Sequence, residues 1–138
     1  EAKSKDQYAE YQENLDPGMT ENAVCRSIGR VELGDSVGLL LWEIRYESFA
    51  ACPLYQGHHV LGTVIFQGKT ISTMHIASNV TGSDAPMRFE SFQLASILKN
   101  GELNIRNFAQ THEEGELIEN SSSKTNYLFS SKGFEVKK

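Results

Sequence analysis

Apolar and polar residues alternate most clearly along residues 40–47 of this chain. The apolar positions are Leu40, Trp42, Ile44 and Tyr46, and the charged positions between and after them are Glu43, Arg45 and Glu47. A period of two residues is typical of a β-strand with one face buried and the other in water. We therefore expect the four apolar residues to lie in the core and the charged residues to face solvent.

Strand-like patterns continue along most of the chain and are separated by short turn-forming segments. Predicted strands cover residues 23–33, 36–48, 59–66, 70–76, 88–99, 102–108, 115–119, 125–131 and 133–137. Turns or loops are predicted at 34–35, 50–57, 67–69, 79–86, 111–115 and 120–123. Eight or nine short strands with short connections indicate an all-β fold, a single antiparallel barrel or sandwich of about eight strands.

Residues 88–99 allow two interpretations. A helix would begin after residues 83–86 and stop at Gly101, but its apolar residues would scatter around the circumference. The dipeptide Asn100-Gly101 between apolar runs is instead a strong hairpin signal. We predict the hairpin, with Lys99 facing Glu102 and Leu98 facing Leu103.

The pattern divides the 138 residues into a polar N-terminal extension, residues 1–22, and one all-β domain, residues 23–138. Tyr8, Tyr11 and Leu15 have helical spacing, so the extension is either a short helix or a tail. The domain's predicted core consists of Leu40, Trp42, Ile44, Tyr46, Val64, Phe66, Ile76, Leu98, Leu103, Tyr127 and Phe129.

Charge and hydropathy exclude two classes of partner. The formal net charge is −5, and clustered cations, which nucleic-acid binding requires, are missing from the sequence. No apolar run approaches the roughly 20 residues of a membrane-spanning helix. We expect neither nucleic-acid binding nor a membrane span.

Two cysteines, Cys25 and Cys52, lie on either side of the best strand. Neither has the companions that a catalytic or metal-binding cysteine needs, so we predict a disulfide between them. A disulfide that closes a loop of about 27 residues stabilises a fold by about 3 kcal/mol in the chain-entropy model. A disulfide predicts a periplasmic or extracellular protein, with two free thiols as the alternative.

The sequence contains no complete catalytic or metal-binding motif. The histidines are His58, His59, His75 and His112, and a pair on adjacent strands would bind zinc only with a further ligand. The glutamates at 113–119 are typical of a solvated turn, and neither a nucleophile elbow nor a phosphate-binding loop is present. We expect no enzymatic activity, no metal and no cofactor.

Two polar connections are the candidate binding segments, because loops on a rigid β-scaffold commonly carry function. One is the predicted loop 79–86, and the other is the acidic loop 112–116. The predicted partner-binding residues are Thr81, Ser83, Asp84, His112, Glu113 and Glu114.

Residues 123–127 (SKTNY) and 129–134 (FSSKGF) resemble the C-terminal strands of bacterial periplasmic lysozyme inhibitors. That family consists of small disulfide-bearing β-barrels or sandwiches that block a cell-wall hydrolase with a projecting loop. The late cysteine that closes several members is missing from this chain. The resemblance implies a small exported β-domain, and it assigns a role to no residue.

We therefore predict an exported protein that binds another protein, as an inhibitor or immunity protein for a basic secreted or cell-wall hydrolase. An acidic β-scaffold with a stiff polar loop fits that role because little ordering is needed on binding. The alternatives are a small-molecule carrier built as a β-barrel and a structural envelope or surface lipoprotein. A lined pocket of several hundred Å³ would favour the carrier.

Overall fold

The computed structural model describes residues 20–34, 36–49 and 54–138. Their eight strands form one antiparallel sheet in which each strand pairs with the next along the chain. The strands are β1 (Thr20–Glu32), β2 (Val37–Phe49), β3 (Leu54–Phe66), β4 (Lys69–Asp84), β5 (Met87–Ile97), β6 (Glu102–Glu113), β7 (Glu116–Ser130) and β8 (Gly133–Val136). The predicted all-β, antiparallel fold is confirmed. Of the predicted extension, residues 20–22 belong to β1, and residues 1–19 lie outside the described residues.

The second half of the sheet packs onto the first half at one end of the strands. Phe129 of β7 shares a buried cluster with Val37 and Leu39 of β2 and Val64 of β3. A second cluster joins Ile76 of β4 to Leu103 and Ile105 of β6. Because these side chains come from strands far apart in the ladder, the sheet must coil to bury them. We call this end, which also holds the β1–β2, β3–β4, β5–β6 and β7–β8 turns, the packed end.

Hydrogen bonds between turns hold the packed end together. The Gln67 amide donates to the Ser36 carbonyl at 3.3 Å, and the Phe129 amide donates to the Gly101 carbonyl at 3.0 Å. Gly101 has a φ of 84°, and a Cβ there would lie 2.9 Å from the Phe129 carbonyl oxygen. Only glycine fits this position without strain.

A bulge in β4 separates the packed end from the other end of the sheet. Val60 pairs with Ala77 and Leu61 pairs with His75, which leaves Ile76 as an extra residue. The β4–β5 ladder begins at the Ser78–Gln93 pair and runs to Asp84 and Met87. Beyond Ser78, towards the packed end, the described parts of β4 and β5 do not pair. We call the end that holds the β4–β5 and β6–β7 turns the open end.

The predicted orientation of β2 requires a correction. Leu39, which was not among the predicted core residues, is completely buried, and Glu43, predicted to face solvent, is only 4% exposed. Tyr46 is buried as predicted, whereas Leu40, Trp42 and Ile44 are half-buried. The reason is that β2 lies between β1 and β3 with apolar groups on both faces of its first half, so alternation does not identify a single buried face.

Elsewhere in the predicted core most assignments hold. Val64, Ile76, Leu103 and Phe129 are buried, and Phe66 and Tyr127 pack against the clusters. The prediction that Leu98 lies in the core is wrong, since Leu98 is 44% exposed. The hairpin that joins the predicted strands 88–99 and 102–108 is confirmed and the helix is not formed, but Ile97 rather than Leu98 faces Leu103. Leu98 instead begins a four-residue turn, in which the Gly101 amide donates to its carbonyl at 3.0 Å.

Three predicted connections prove to be parts of strands. Residues 79–84 extend β4, residues 120–123 lie in the middle of β7, and β3 already begins at Leu54. Each segment is rich in turn-forming residues, but each pairs along its length with a neighbouring strand. Pairing within a sheet overrides the weak local preference for a turn.

Candidate functional site

A groove of about 490 Å³ crosses β3–β7 at the open end of the sheet. Its hydroxyl-bearing side chains are Ser78, Ser91, Ser121, Ser122 and Ser123, and its amides are Gln93 and Asn107. Its aromatic wall consists of Tyr55 and Phe89, and the remaining lining residues are His75, Val80, Phe108 and Ala109. Phe108 pairs with Phe92, so strand alternation directs its side chain to the other face of the sheet. Among these described lining residues, none is an Asp, Glu, Lys or Arg.

The strand register arranges the groove floor in rows. Ser78, Gln93, Asn107 and Ser123 lie opposite one another across four strands and form a polar row. The next row on the same face consists of Val80, Ser91, Ala109 and Ser121. Because side chains alternate across a strand, residues two apart fall in successive rows of one face. Apart from Val80, the side chains of this second row are small.

Two glycines make room for ring side chains on this face. Gly82 lies opposite Phe89, and a Cβ at Gly82 would overlap the Phe89 ring. A Cβ at Gly57 would likewise overlap the His59 ring. The centroids of the Tyr55 and Phe89 rings lie 6.2 Å apart, within the usual distance for an aromatic pair. The Tyr55 and Phe89 rings form one wall of the groove.

Two histidines meet beside the groove. The His59 Nδ1 and His75 Nε2 atoms lie 3.1 Å apart, so one ring nitrogen donates a hydrogen bond to the other. Burial is the main cause that lowers the pKa of His59 to about 4, with smaller effects from His75 and His58. Burial also lowers the pKa of His75. The lowered pKa values favour the neutral form of both rings, and the hydrogen bond between them requires that one of the two facing nitrogens is unprotonated.

Hydrogen bonds orient both amides of the polar row. Gln93 donates through Nε2 to the His75 carbonyl at 3.2 Å, and Asn107 donates through Nδ2 to Ser123 Oγ at 3.2 Å. Neither amide oxygen accepts a hydrogen bond from the described part of the chain. Each oxygen is thus an acceptor that a bound molecule can use.

A buried carboxylate forms a second polar cluster on β1, β2 and β3. Glu43 accepts hydrogen bonds from Arg26 and His58, and Arg45 Nε lies 3.7 Å from its Oε1. The hydrogen bond from His58 is the largest cause that lowers the pKa of Glu43, and Arg26 also lowers it, while burial acts in the opposite direction. The cluster joins three strands outside the groove lining, and the sequence analysis did not identify it.

The predicted partner-binding residues come together at the open end. Thr81, Ser83 and Asp84 lie near the end of β4, His112 and Glu113 end β6, and Glu114 lies in the β6–β7 turn. Arg88 pairs with both Ser83 and His112, and the Glu114 amide donates to the Pro86 carbonyl at 3.3 Å. The two predicted segments are therefore adjacent hairpin tips beside the groove. Thr81, Ser83 and Asp84 belong to a strand rather than to the predicted loop.

The structure also locates the remaining candidate residues. No group of three or more His, Cys, Asp or Glu side chains suited to a metal ion occurs among the described residues. Cys25 lies exposed on β1, and Cys52 lies outside the described residues, so their predicted disulfide stays a prediction. Within the described ranges, no helix is long and apolar enough to cross a membrane.

No protein-family model, no curated protein and no solved structure matches this chain. The short resemblance of residues 123–134 to lysozyme inhibitors is thus not extended by any whole-chain match.

Sequence reasoning missed the groove because its lining comes from five strands. The available signal was the period-two series Phe89, Ser91 and Gln93, in which an aromatic, a small and an amide side chain share a face. Gly57 and Gly82, set inside strands, were a second signal, because a strand glycine commonly marks a close approach of another group.

Proposed function

We propose that this protein binds a small, uncharged molecule in the groove at the open end. The observation that carries the proposal is a lined groove of about 490 Å³, within the range of about 300–1,000 Å³ for small-molecule sites. This is the small-molecule binding that the sequence analysis held as an alternative, here in a coiled open sheet.

The charge of the lining supports an uncharged ligand. A bound ion removed from water needs an opposite charge or several strong hydrogen bonds. The described lining offers serine hydroxyls, two amides and aromatic rings but no formally charged side chain. Its one titratable imidazole, His75, has a pKa that is lowered by burial, which favours the uncharged form.

The rigidity of the wall and floor also supports a binding role. The floor is built from paired strands, and the Phe89 ring is held against Gly82. A site whose side chains are already in place loses little conformational entropy when a ligand binds.

Two tryptophan variants on β7 test this proposal. Ser121 lines the groove, whereas Asn120, which is also exposed, precedes Ser121 in the strand and faces the other side of the sheet. Amide chemical shifts of the wild type are measured against a library of neutral and charged small molecules. We expect neutral compounds to shift groove residues, S121W to abolish these shifts, and N120W to keep them. Shifts that are unaffected by S121W would contradict the proposal.

A second candidate function is the binding of a protein partner at the hairpin tips. The observation that favours it is that two segments chosen separately from the sequence lie side by side there. Glu113, Glu114 and Glu116 are exposed at the tips, so a basic partner such as a cell-wall hydrolase has the complementary charge. An exported protein with a Cys25–Cys52 disulfide is part of this candidate function.

The pair of substitutions Ser83→Ala and Asp84→Ala tests the second candidate. The wild type and this double variant are used as baits on secreted or periplasmic proteins from the native organism. A basic hydrolase that binds the wild type, loses activity on binding and is not recovered by the variant would support inhibition. Equal recovery by both baits, or no partner at all, would contradict it.

A further inference from the structure

We infer that the ligand of the groove is a neutral oligosaccharide, an inference that rests on the proposed function. Each sugar hydroxyl both donates and accepts hydrogen bonds. Serine hydroxyls and the amides of Gln93 and Asn107 also offer both capacities. The groove therefore matches a ligand with many hydroxyl groups better than a ligand with a single polar group.

The polar row supplies these groups at regular intervals. Ser78, Gln93, Asn107 and Ser123 lie on four consecutive strands, and neighbouring strands lie about 4.8 Å apart. The row thus spans about 14 Å across the sheet. The free amide oxygens of Gln93 and Asn107 lie in its middle, where they can accept hydrogen bonds from sugar hydroxyls.

The aromatic wall suits the other surface of a sugar. One face of a pyranose ring presents C–H groups, and the negative face of an aromatic ring attracts their partial positive charge. Phe89 is 38% exposed and is held by Gly82, and Tyr55 stands beside it. Phe89 and Gln93 are four residues apart on β5, about 13 Å along the strand. A short saccharide can reach both the wall and the polar row.

Other uncharged or stacking ligands fit less well. A single-stranded nucleic acid would use the aromatic rings, but its phosphates need cations, which the described lining does not provide. A fatty acid or sterol would leave the serines and amides unpaired.

Calorimetric titration and chemical-shift mapping with chosen probes test this inference. The neutral probes are maltohexaose, cellohexaose and the hexamer of N-acetylglucosamine, and the comparison probes are progesterone and a single-stranded oligothymidylate. We expect at least one hexasaccharide to shift the amide resonances of groove residues and to bind measurably. Neither comparison probe is expected to do so.

Two phenylalanines of β5 provide the matched variants. Phe89 and Phe92 are 38% and 36% exposed and face opposite sides of the sheet. We expect F89A to weaken saccharide binding about tenfold and F92A to change it less than about twofold.

The outcomes separate the inference from the proposed function. If only progesterone shifts the groove residues, the saccharide inference is overturned while small-molecule binding in the groove stands. Saccharide binding that is equally weakened by F92A and F89A would overturn the assignment of the site. If no probe and no library compound shifts the groove residues, both proposals fail.

Discussion

Gly82 lies directly opposite Phe89 in the β4–β5 ladder, and the Phe89 ring occupies the space that a Cβ of residue 82 would fill. The glycine is buried beneath a partly exposed ring. This arrangement covers the glycine backbone and at the same time fixes the orientation of the aromatic wall. One residue without a side chain thereby sets the shape of the groove.

Replacing Gly82 with alanine is expected to displace the Phe89 ring. The overlap should lower the free energy of unfolding by about 1–3 kcal/mol and weaken ligand binding in the groove. Gly29 is the control, because a Cβ at this strand glycine meets nothing within 4 Å. G29A should leave stability unchanged or raise it by up to about 1 kcal/mol. Equal effects of G82A and G29A in urea denaturation would contradict this role of Gly82.

Truncation of Leu39 tests the packed end. Leu39 is completely buried in the cluster that contains Phe129, so L39A should lower the free energy of unfolding by about 2–5 kcal/mol. Leu94 is 58% exposed, and L94A should change the free energy of unfolding by less than about 0.5 kcal/mol. Urea denaturation followed by tryptophan fluorescence measures both. If L94A destabilised the protein as much as L39A, the assignment of the core to this end would be wrong.

The turns at Gly68 and Gly101 were predictable from the sequence because their chemistry is local. Gly68 and Gly101 have φ values of 75° and 84°, a conformation that glycine adopts without strain, and both were predicted as turns. The register after Asn100-Gly101 was wrong by one residue on β5. The turn includes Leu98 and Lys99, and the difference between a two-residue and a four-residue turn depends on the sheet to which it belongs.

Burial and the site were less predictable because both depend on distant parts of the chain. The run Leu39-Leu40-Leu41 is apolar on both faces, so the face that Phe129 covers cannot be read from the run itself. Residues 121–123 are serines that favour a turn in isolation, yet they pair with β6 and form a side of the groove. The groove exists only once five strands are in register.

The histidine pair should make stability depend on pH. An unfolded histidine takes up a proton near its ordinary pKa of 6.5, whereas the pKa of folded His59 is about 4. Between these values the unfolded state binds more protons, so the free energy of unfolding should fall as the pH falls from 6.5 towards 4. The lowered pKa of His75 acts in the same direction.

The variant H59Q isolates this contribution from the carboxylates that titrate in the same range. Its free energy of unfolding should change less with pH than that of the wild type, while the two curves run parallel above pH 6.5. An NMR titration of the histidine ring protons measures the pKa of His59 directly. An ordinary pKa for His59 in the folded protein would show that its ring is not buried as described.

The predicted Cys25–Cys52 disulfide is tested by alkylation without reductant, followed by mass spectrometry. Cys25 is exposed on β1, so a free thiol there would react readily. If the bridge forms, neither cysteine is labelled, and C25S should lower the free energy of unfolding by about 3 kcal/mol. Two labelled cysteines in protein purified from an oxidising compartment would count against both the bridge and the exported setting.

Glu43 offers a test of the polar cluster that joins β1, β2 and β3. Its side chain is 5% exposed and accepts hydrogen bonds from Arg26 and His58, so E43Q should leave a cation with a weaker acceptor and lower the melting temperature. Glu47 lies four residues further along the same strand and is exposed. E47Q is therefore the matched control and should have little effect on the melting temperature.

The pH dependence of the E43Q effect follows from the lowered pKa of Glu43. A carboxylate whose folded pKa lies below its ordinary value of 4.5 stabilises the fold above that value, and the stabilisation disappears as the pH falls through the folded pKa. The difference in melting temperature between wild type and E43Q should therefore be largest above the ordinary pKa and shrink in acid. Because the ion pairs join neighbouring strands rather than groove residues, E43Q should leave ligand binding intact while it lowers stability. Loss of binding without loss of stability would mean that Glu43 acts on the groove itself.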